Sequence, residues 1–348
     1  MHIGIVGSGA VGSYIGGRMA LAGQRVSLID PWPAHVEAIR QHGLLIAETT
    51  EEFTVPCPAL HICDVQSLQR DKLDIAFICV KLYDTRWAVE LIAPYVKEDG
   101  LVVTLQNGLV EDEVASIARA ERTLGAIGTT MSVFLSAPGR VQRAQSRAGP
   151  GDTVFYVGEI DGPETERVRR VVGLLNLADH AASTGNLIGE RWAKLTANTL
   201  SGGLAALAGT TFKELYENRR TRRLAIRLAG EAIQVGAELG LPIGHVRGMP
   251  PAIWSAAASG DASALAQLES HLLRTQQIRP DNGHPAMAAD LASGRRTEVD
   301  WLSGLVVRRG RAVGVDAPTH ARVVALIHEV EAGRLTPGAQ ALDRLEAV

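Results

Sequence analysis

The chain has 348 residues, 46% of them hydrophobic and 21% charged, and it carries a formal net charge of −3 at pH 7. Because single cores rarely grow beyond about 250–300 residues, this length favours two domains with separate cores. The weak charge gives no electrostatic basis for binding nucleic acid or an anionic membrane, and no apolar run reaches the ~18 residues of a membrane span.

The first thirty residues predict a strand, a glycine-rich turn, a helix and a second strand. The turn reads Gly7-Ser8-Gly9-Ala10-Val11-Gly12. In such a turn Gly7 permits the tight bend, Gly9 lets a pyrophosphate approach the backbone, and Gly12 lets the helix pack closely on the sheet. The amides at the start of the helix, together with its dipole, bind an anion. The stretch therefore predicts a dinucleotide site.

Asp30, at the end of the second predicted strand, indicates which dinucleotide is used. A carboxylate there accepts hydrogen bonds from a free ribose 2′-OH and repels a 2′-phosphate. The following residues, Pro31-Trp32-Pro33, include no lysine or arginine that would hold a phosphate. NAD is the expected cofactor, with NADP as the alternative.

The rest of the first half alternates strands and helices. The near-continuous apolar run 73–80 is typical of a strand buried on both faces of a parallel sheet. Further strands are predicted at 44–46, 53–55, 101–105, 123–131, 140–145 and 154–157, and helices at 34–42, 84–96, 111–119 and 164–175. This alternation predicts an α/β fold with a Rossmann-type doubly wound sheet.

From about residue 186 the pattern changes to long alanine- and leucine-rich segments with helical spacing. Helices are predicted at 188–208, 213–239, 253–273, 285–291, 298–313 and 319–332, with loosely held residues after 338. We therefore predict a dinucleotide-binding Rossmann domain over residues 1–185. Residues 186–348 are predicted to form an all-α substrate and catalytic domain.

The cysteines and histidines give no sign of a disulfide framework or a metal site. The three cysteines are an odd number without a C-x-x-C pair, so reduced, structural thiols are expected. The ten histidines show no ligand spacing, which predicts no metal. Met1 leads directly into the first strand without a secretory leader pattern, so a cytoplasmic location is expected.

Lys194 and Asn198 are the first candidates for chemistry in the helical half. A nicotinamide enzyme that reduces a carbonyl needs a proton donor at the oxygen and usually a cation for a substrate carboxylate. The two residues are four apart, so both project from one face of a helix. The alternative is a surface lysine extended to solvent beside an exposed asparagine.

Two further positions extend this candidate site. Asn107 follows the strand that ends at Leu105, and therefore lies at the carboxyl end of the sheet, where ligands bind in such folds. An Asn-Gly turn is the alternative explanation. Thr297 is a predicted N-cap with Glu298 and Asp300 in the first helical turn, a pattern that capping alone would also explain.

These positions together resemble the ketopantoate reductase family over essentially the whole chain. The matching stretches occur in the family's order: Gly7 to Gly12, Val80-Lys81, Gln106-Asn107-Gly108, Trp192 to Asn198, Thr297 to Asp300 with Gly304, and Gly314-Val315-Asp316-Ala317-Pro318. Several such motifs in order over some 300 residues are far more specific than any single one.

The resemblance implies roles for the candidate residues. Lys194 would act as the general acid, and its charge would attract the substrate carboxylate, while Asn198 would hydrogen-bond the substrate. Asn107 would lie at the nicotinamide end, near cofactor and substrate. Glu298 would contact the cofactor and help to orient Lys194. Lys81 would approach the cofactor from the side.

The chain departs from the family pattern at three positions. Gly202 stands where the family usually has a second asparagine, and Ala286 stands where it has a serine. Both changes remove hydrogen-bonding groups and leave more room for substrate, which relaxes discrimination. NADP-using members generally carry a basic residue just after the second strand, whereas this chain has Asp30 at the end of that strand. The segment around Asp30 resembles the NAD-linked branch, which includes D-2-hydroxy acid dehydrogenases acting on bulky or branched 2-oxo acids.

The sequence therefore predicts an NAD-preferring reductase of a small-molecule 2-oxo acid that yields a D-2-hydroxy acid. The first alternative is ketopantoate reductase itself, which converts ketopantoate to pantoate. A β-hydroxy acid dehydrogenase also uses lysine and asparagine at this spacing, but its glycine-rich substrate motif is not matched by residues 120–131. A non-catalytic NAD-binding regulator is the alternative from another class. The sequence is compatible with a homodimer through the helical domain.

Overall fold

The computed structural model describes residues 1–149, 151–278 and 283–347, and the chain divides into two compact units. The Rossmann unit comprises Met1–Leu187 and the helical unit Ile188–Val348. The assignment of residues 1–185 to cofactor binding and 186–348 to substrate binding and catalysis remains a prediction. Within the described part of the chain, none of the helices has the length and apolar character needed to cross a membrane.

The Rossmann unit alternates strands and helices, as its sequence predicts. Its strands are β1 (His2–Val6), β2 (Arg25–Asp30), β3 (Leu44–Ala47), β4 (Glu52–Val55), β5 (Ala59–His61), β6 (Leu73–Ile78), β7 (Val96–Thr104), β8 (Thr123–Gly128), β9 (Val133–Ala137), β10 (Arg140–Arg143), β11 (Phe155–Gly158) and β12 (Ala181–Ser183). Its helices are α1 (Ala10–Leu21), α2 (Pro33–His42), α3 (Thr85–Ile92), α4 (Glu111–Ala118) and α5 (Glu166–Leu175).

The main sheet has the order β12-β11-β8-β7-β6-β1-β2-β5. Neighbouring strands from β8 to β5 run parallel, and β11 turns the direction by pairing antiparallel with β8. Two apolar layers cover its faces. One includes Ile3, Ile5 and Ile15, and the other includes Val89 and Ile92 of α3. Cores on both faces define a doubly wound sheet, so the predicted α/β Rossmann-type fold is confirmed.

A second sheet, of order β4-β3-β10-β9, packs on α1. Gly17 of α1 makes this packing close, because a Cβ at that position would lie 2.5 Å from Ile46 Cδ1 and 2.7 Å from Leu44 Cδ2. The sequence predicts strands at β3, β4 and β10 but none at β9, and it does not separate these strands from the main sheet. Hydrophobic pattern alone does not distinguish two sheets when each has one buried face.

Several of the helices predicted for the helical unit are divided or shortened in the structure. They are α6 (Leu187–Thr199), α7 (Gly202–Ala208), α8 (Phe212–Glu217), α9 (Arg219–Glu238), α10 (Pro251–Ala258), α11 (Ala262–Ile278), α12 (Ala286–Ala292), α13 (Ser303–Ala312), α14 (Pro318–Glu331) and α15 (Ala339–Glu346). The predicted helix 213–239 is interrupted at Asn218, whose Oδ1 accepts the Arg220 amide at 2.8 Å and thereby caps α9.

The prediction of a loosely held C-terminus was wrong for residues 339–346. These residues form α15, in which Leu345 is fully buried. Arg220 donates to Asp343 at 2.6 Å and to Glu346 at 2.9 Å, which ties α15 to the start of α9. The contacts join residues more than 120 positions apart, which explains why no local pattern predicts them.

Candidate active site

The glycine-rich turn after β1 requires glycine at two positions for steric reasons. Gly7 has φ +88°, and a Cβ there would lie 2.7 Å from the Val80 nitrogen. A Cβ at Gly12 would lie 2.2 Å from the Gly7 carbonyl oxygen, well inside van der Waals contact. At Gly9, by contrast, no atom lies within 4 Å of such a Cβ. The turn is therefore tightly packed on the protein side and open where a phosphate would approach.

Helix α1 presents its amino end at this turn. Gly9 is its N-cap and supplies no side-chain cap, and the Ser13 amide bonds the Gly9 carbonyl at 2.8 Å. The amides of the first turn, those of Ala10, Val11 and Gly12, have no acceptor within an α-helix. Such amides and the helix dipole form an anion site. The geometry fits the pyrophosphate of a dinucleotide.

Asp30 lies beside the same turn, at the carboxyl end of β2. The Gly7 and Ser8 amides donate to the Ile29 carbonyl at 2.9 and 3.3 Å, which brings the turn against the end of that strand. The Asp30 side chain is buried, and its Oδ1 accepts the Trp32 amide at 2.9 Å. Burial raises the pKa of Asp30, and the Trp32 amide opposes that shift. A desolvated, oriented carboxylate is suited to accept hydrogen bonds from ribose hydroxyls.

His35 connects the Asp30 segment to the glycine-rich turn. Its buried ring stacks on Trp32 with a centroid distance of 5.7 Å and an interplanar angle of 7°. Its Nδ1 accepts the Gly139 amide at 3.0 Å, and burial lowers the pKa of His35, so the neutral ring carries its proton on Nε2. Nε2 then donates to Ser13 Oγ at 3.2 Å, and Ser13 donates to the Ser8 carbonyl at 2.6 Å.

The strand order places the candidate cofactor residues in a row. Residues 79–81 continue from β6, where the Cys79 amide bonds the Val6 carbonyl at 2.8 Å, and Leu105 after β7 bonds Ile78 at 3.0 Å. Asn107, Lys81, the turn and Asp30 therefore follow the ends of β7, β6, β1 and β2 in succession. Neighbouring strands lie about 4.8 Å apart, so the three intervals between these four strands span roughly 14 Å, which is enough for an extended dinucleotide.

In the helical unit, α6 buries one face and leaves Lys194 and Asn198 half-buried on another. The buried face is fixed by Trp192, whose Nε1 donates to the Ala232 carbonyl of α9 at 2.9 Å. Gly236 makes room for this indole, because a Cβ there would lie 2.3 Å from Nε1. The orientation of Lys194 and Asn198 is thus set by a core contact on the opposite side of their helix.

Lys194 has the electrostatic character of a proton donor. Burial lowers the pKa of Lys194 to about 8, and the positive charge of Arg247 contributes to the same shift. A general acid is most effective when its pKa is close to the working pH. A lysine in open solvent would keep its ordinary pKa, so this position favours the catalytic interpretation over that of a surface lysine.

Gly202 and Ala286, the two positions predicted to contact the substrate, lie on helices that contact each other. A Cβ at Gly202, the first residue of α7, would lie 4.0 Å from the Met287 Cβ of α12. Ala286 precedes Met287 and is exposed. Gly203 of α7 also lies against Met287, with its sulfur 3.9 Å from a Cβ at that position. The structure therefore brings positions 202 and 286 into one region of the helical unit.

The segment that carries Glu298 is a turn, and the prediction that it begins a helix was wrong. Helix α13 starts at Ser303, because Leu302 has φ −104° and ψ −90°, outside the helical region. Thr297 Oγ1 accepts the Val299 amide at 3.4 Å, so it caps this turn rather than a helix. The Thr297 amide donates to Glu331 Oε1 of α14 at 2.7 Å, which holds the half-buried Glu298 in place.

Sequence reasoning missed Arg247 and His35 as parts of these sites. Arg247 lies in a connection between helices, where the only local signal is Gly248 in a two-residue turn. His35 appears in the sequence as one residue of an amphipathic helix. Both roles depend on partners far along the chain, such as Gly139 for His35, and a single sequence does not reveal them.

Two models of a known protein family match this chain. Residues 3–160 match the family model Ketopantoate reductase PanE/ApbA, and residues 186–331 match Ketopantoate reductase PanE/ApbA C terminal. The chain belongs to the ketopantoate reductase family. The resemblance expected from the sequence motifs is thereby confirmed.

Relatives of this family member align over nearly its whole length. A 2-dehydropantoate 2-reductase from Archaeoglobus fulgidus is 27% identical over 333 residues, covering 95% of this chain and 98% of the relative. A crystal structure of a PanE/ApbA family ketopantoate reductase from Ralstonia eutropha JMP134 is 25% identical, with a TM-score of 0.78, and covers 96% and 99% of the two chains.

A second solved structure shares the fold at lower sequence identity. The ternary structure of D-mandelate dehydrogenase with NADH and anilino(oxo)acetate is 22% identical to this chain, with a TM-score of 0.81 and 96% and 99% coverage. Together, family membership and the named relatives support an NAD(P)-dependent oxidoreductase that reduces a 2-oxo acid.

Proposed function

We propose that this family member is an NAD-preferring reductase that converts a bulky or branched 2-oxo acid to a D-2-hydroxy acid. The observation that carries the proposal is the buried Asp30 carboxylate, oriented by the Trp32 amide at 2.9 Å beside the glycine-rich turn. A 2′-phosphate at this position would meet a negative charge. D-mandelate dehydrogenase, which shares the fold, has been solved with NADH and anilino(oxo)acetate.

When bound, a reduced nicotinamide would supply the hydride that the ketone carbon accepts. Lys194 donates a proton to the ketone oxygen, which becomes the alcohol, and the lysine leaves the step neutral. A pKa of about 8 makes this transfer accessible near neutral pH. Asn198, one helical turn further along α6, donates a hydrogen bond to the substrate from the same helix face.

The remaining site residues are assigned to binding and orientation. Asn107, after the end of β7, lies at the nicotinamide end of the cofactor, and Lys81, after the end of β6, approaches the cofactor from the side, while the turn from Gly7 to Gly12 holds the pyrophosphate. Glu298 contacts the cofactor and orients Lys194. The tether from Thr297 to Glu331 keeps the Glu298 turn rigid enough for that task.

The substrate side of the proposal depends on Gly202 and Ala286. Neither side chain can form the hydrogen bonds that asparagine and serine would offer there. A Cβ at position 202 would make ordinary van der Waals contact with the Met287 Cβ at 4.0 Å, so the neighbour of this position is apolar. Such surroundings favour a larger, less polar side chain on the 2-oxo acid.

The proposal is tested by titrating the purified protein with NADH and NADPH, followed by turnover of a 2-oxo acid panel that includes ketopantoate and benzoylformate. We expect tighter NADH binding and faster reduction of bulky acids. Asp30→Asn should reduce the NADH-to-NADPH affinity ratio at least about 10-fold, since it removes the repelling charge. Asp99→Asn is the matched control, because this exposed acid lies towards the amino end of β7.

Ketopantoate reductase is the second candidate, and the curated relatives named 2-dehydropantoate 2-reductase favour it. Tighter NADPH binding together with turnover of ketopantoate alone would establish it in place of our proposal. The remaining alternative, an NAD-binding regulator without this catalysis, would gain support if the wild-type protein bound NADH and reduced none of the 2-oxo acids; unchanged turnover in Lys194→Ala would show instead that Lys194 is not the proton donor.

A further inference from the structure

Arg247 is held in an unusual backbone conformation within the helical unit. It has φ +50°, a left-handed value that residues other than glycine rarely adopt. Val246 and Met249 exchange two backbone hydrogen bonds of 2.9 and 3.0 Å across Arg247 and Gly248, so the four residues form a tight two-residue turn. A left-handed backbone costs free energy at a residue other than glycine, so it persists only where neighbouring contacts impose it.

The surroundings of this turn fix it from several sides. His271 Nε2 bonds the Arg247 carbonyl at 2.9 Å, and Trp254 Nε1 donates to the Val246 carbonyl at 3.1 Å. The Arg247 guanidinium lies over the buried Tyr216 ring, 4.9 Å from its centroid. The guanidinium is therefore presented by a rigid support, which lowers the entropy lost when it binds a ligand.

The turn lies near the face of α6 that carries Lys194. A Cβ at Gly244, three residues before Arg247, would lie 3.4 Å from both Glu190 carboxylate oxygens. Glu190 is one helical turn before Lys194, so both project from the same face. The Arg247 charge also lowers the pKa of Lys194. Geometry and electrostatics thus place two cationic side chains near each other.

Among the described residues, no carboxylate lies within ion-pair distance of Arg247. Two neighbouring cations in partly desolvated positions repel each other, and an anion between them would relieve that repulsion. A fixed guanidinium is well suited to bind a carboxylate with two parallel hydrogen bonds.

We propose that Arg247 binds the carboxylate of the 2-oxo acid and determines the preference of this enzyme for acids over neutral ketones. The inference rests on the proposed 2-oxo acid reductase function and adds a residue to it. Lys194 then acts mainly at the ketone oxygen, while Arg247 takes over the attraction of the carboxylate. Lys194 then donates the proton, and Arg247 orients the substrate.

The test compares benzoylformate with its methyl ester, which keeps the ketone and lacks the charge. The neutral variant is Arg247→Asn, because asparagine tolerates a left-handed backbone and should preserve the turn. We expect its kcat/KM preference for acid over ester to fall about 10- to 100-fold, mainly through the KM of the acid. Arg247→Lys should retain part of the preference, and Arg227→Gln, an exposed arginine of α9, should retain all of it.

A second measurement makes the result independent of turnover. The affinity of the NADH-loaded enzyme for oxamate, measured by calorimetry, should also fall about 10- to 100-fold in Arg247→Asn. The affinity for NADH should stay unchanged. If the ratio of kcat/KM for acid over ester is unchanged in Arg247→Asn, the inference is overturned and the proposed function stands. This holds even if the pH dependence of kcat shifts. A wild-type enzyme that reduces none of the 2-oxo acids would overturn both.

Discussion

The glycine-rich turn of the Rossmann unit and the lysine-bearing helix of the helical unit position their functional groups in different ways. In the turn, the backbone itself forms the site, and the absence of side chains at Gly7 and Gly12 makes the conformation accessible. In α6, the functional groups are side chains, and their direction depends on Trp192 packing on the opposite face. A site made of backbone tolerates few substitutions at its glycines, whereas a site made of side chains depends on distant supports.

The largest effect is expected from removing the proton donor. Lys194→Met should lower kcat for 2-oxo acid reduction by about 10²- to 10⁴-fold, the usual contribution of general acid catalysis. NADH affinity, measured by fluorescence titration, should remain unchanged because the proposed role of Lys194 is to donate a proton to the substrate and not to hold the cofactor. Lys213→Met is the matched control, since that lysine is partly exposed on α8. Equal losses in both variants would exclude a specific role for Lys194.

The second largest effect is expected in the glycine-rich turn from Gly7 to Gly12. Gly12→Ala places a Cβ 2.2 Å from the Gly7 carbonyl oxygen, so the turn must shift, and NADH affinity should fall at least about 10-fold. Gly173→Ala is the control, because no atom lies within 4 Å of its Cβ in α5. That change should leave affinity unchanged and raise Tm slightly, since alanine is favoured in helices by up to about 1 kcal/mol. Normal NADH binding by Gly12→Ala would contradict our account of the turn.

A smaller effect is expected at the substrate positions of the helical unit. The double variant Gly202→Asn with Ala286→Ser should shift kcat/KM toward ketopantoate over benzoylformate by about 10-fold, because it restores two hydrogen-bonding groups. Ala292→Ser, at the exposed end of α12, controls for a serine that faces solvent. No gain on ketopantoate in the double variant would show that these positions do not govern substrate choice.

The smallest effect concerns the support of Glu298. Glu331→Ala removes the acceptor of the Thr297 amide, a hydrogen bond of 2.7 Å. We expect kcat/KM to fall about 2- to 10-fold, as for the loss of one hydrogen bond, while Tm changes little. Glu346→Ala, which instead breaks a surface contact with Arg220, should leave kcat/KM unchanged. An identical response of the two variants would place the Thr297 tether outside the catalytic site.

Several features could be predicted from the sequence because local chemistry determines them. The turn from Gly7 to Gly12, the acid at position 30 and the alternation of strands and helices follow from short-range sterics and hydrophobic period. The i, i+4 spacing of Lys194 and Asn198 likewise follows from helix geometry. The structure gives these elements boundaries within a few residues of those predicted, as for α2 at Pro33–His42.

Other features were decided only by tertiary structure. The separate second sheet, the break before α13 and the packing of α15 depend on contacts between residues far apart in the chain. The lowered pKa of Lys194 depends on burial and on Arg247, more than fifty positions away. A sequence specifies local conformation through sterics, but burial and electrostatic environment exist only once distant segments have packed together.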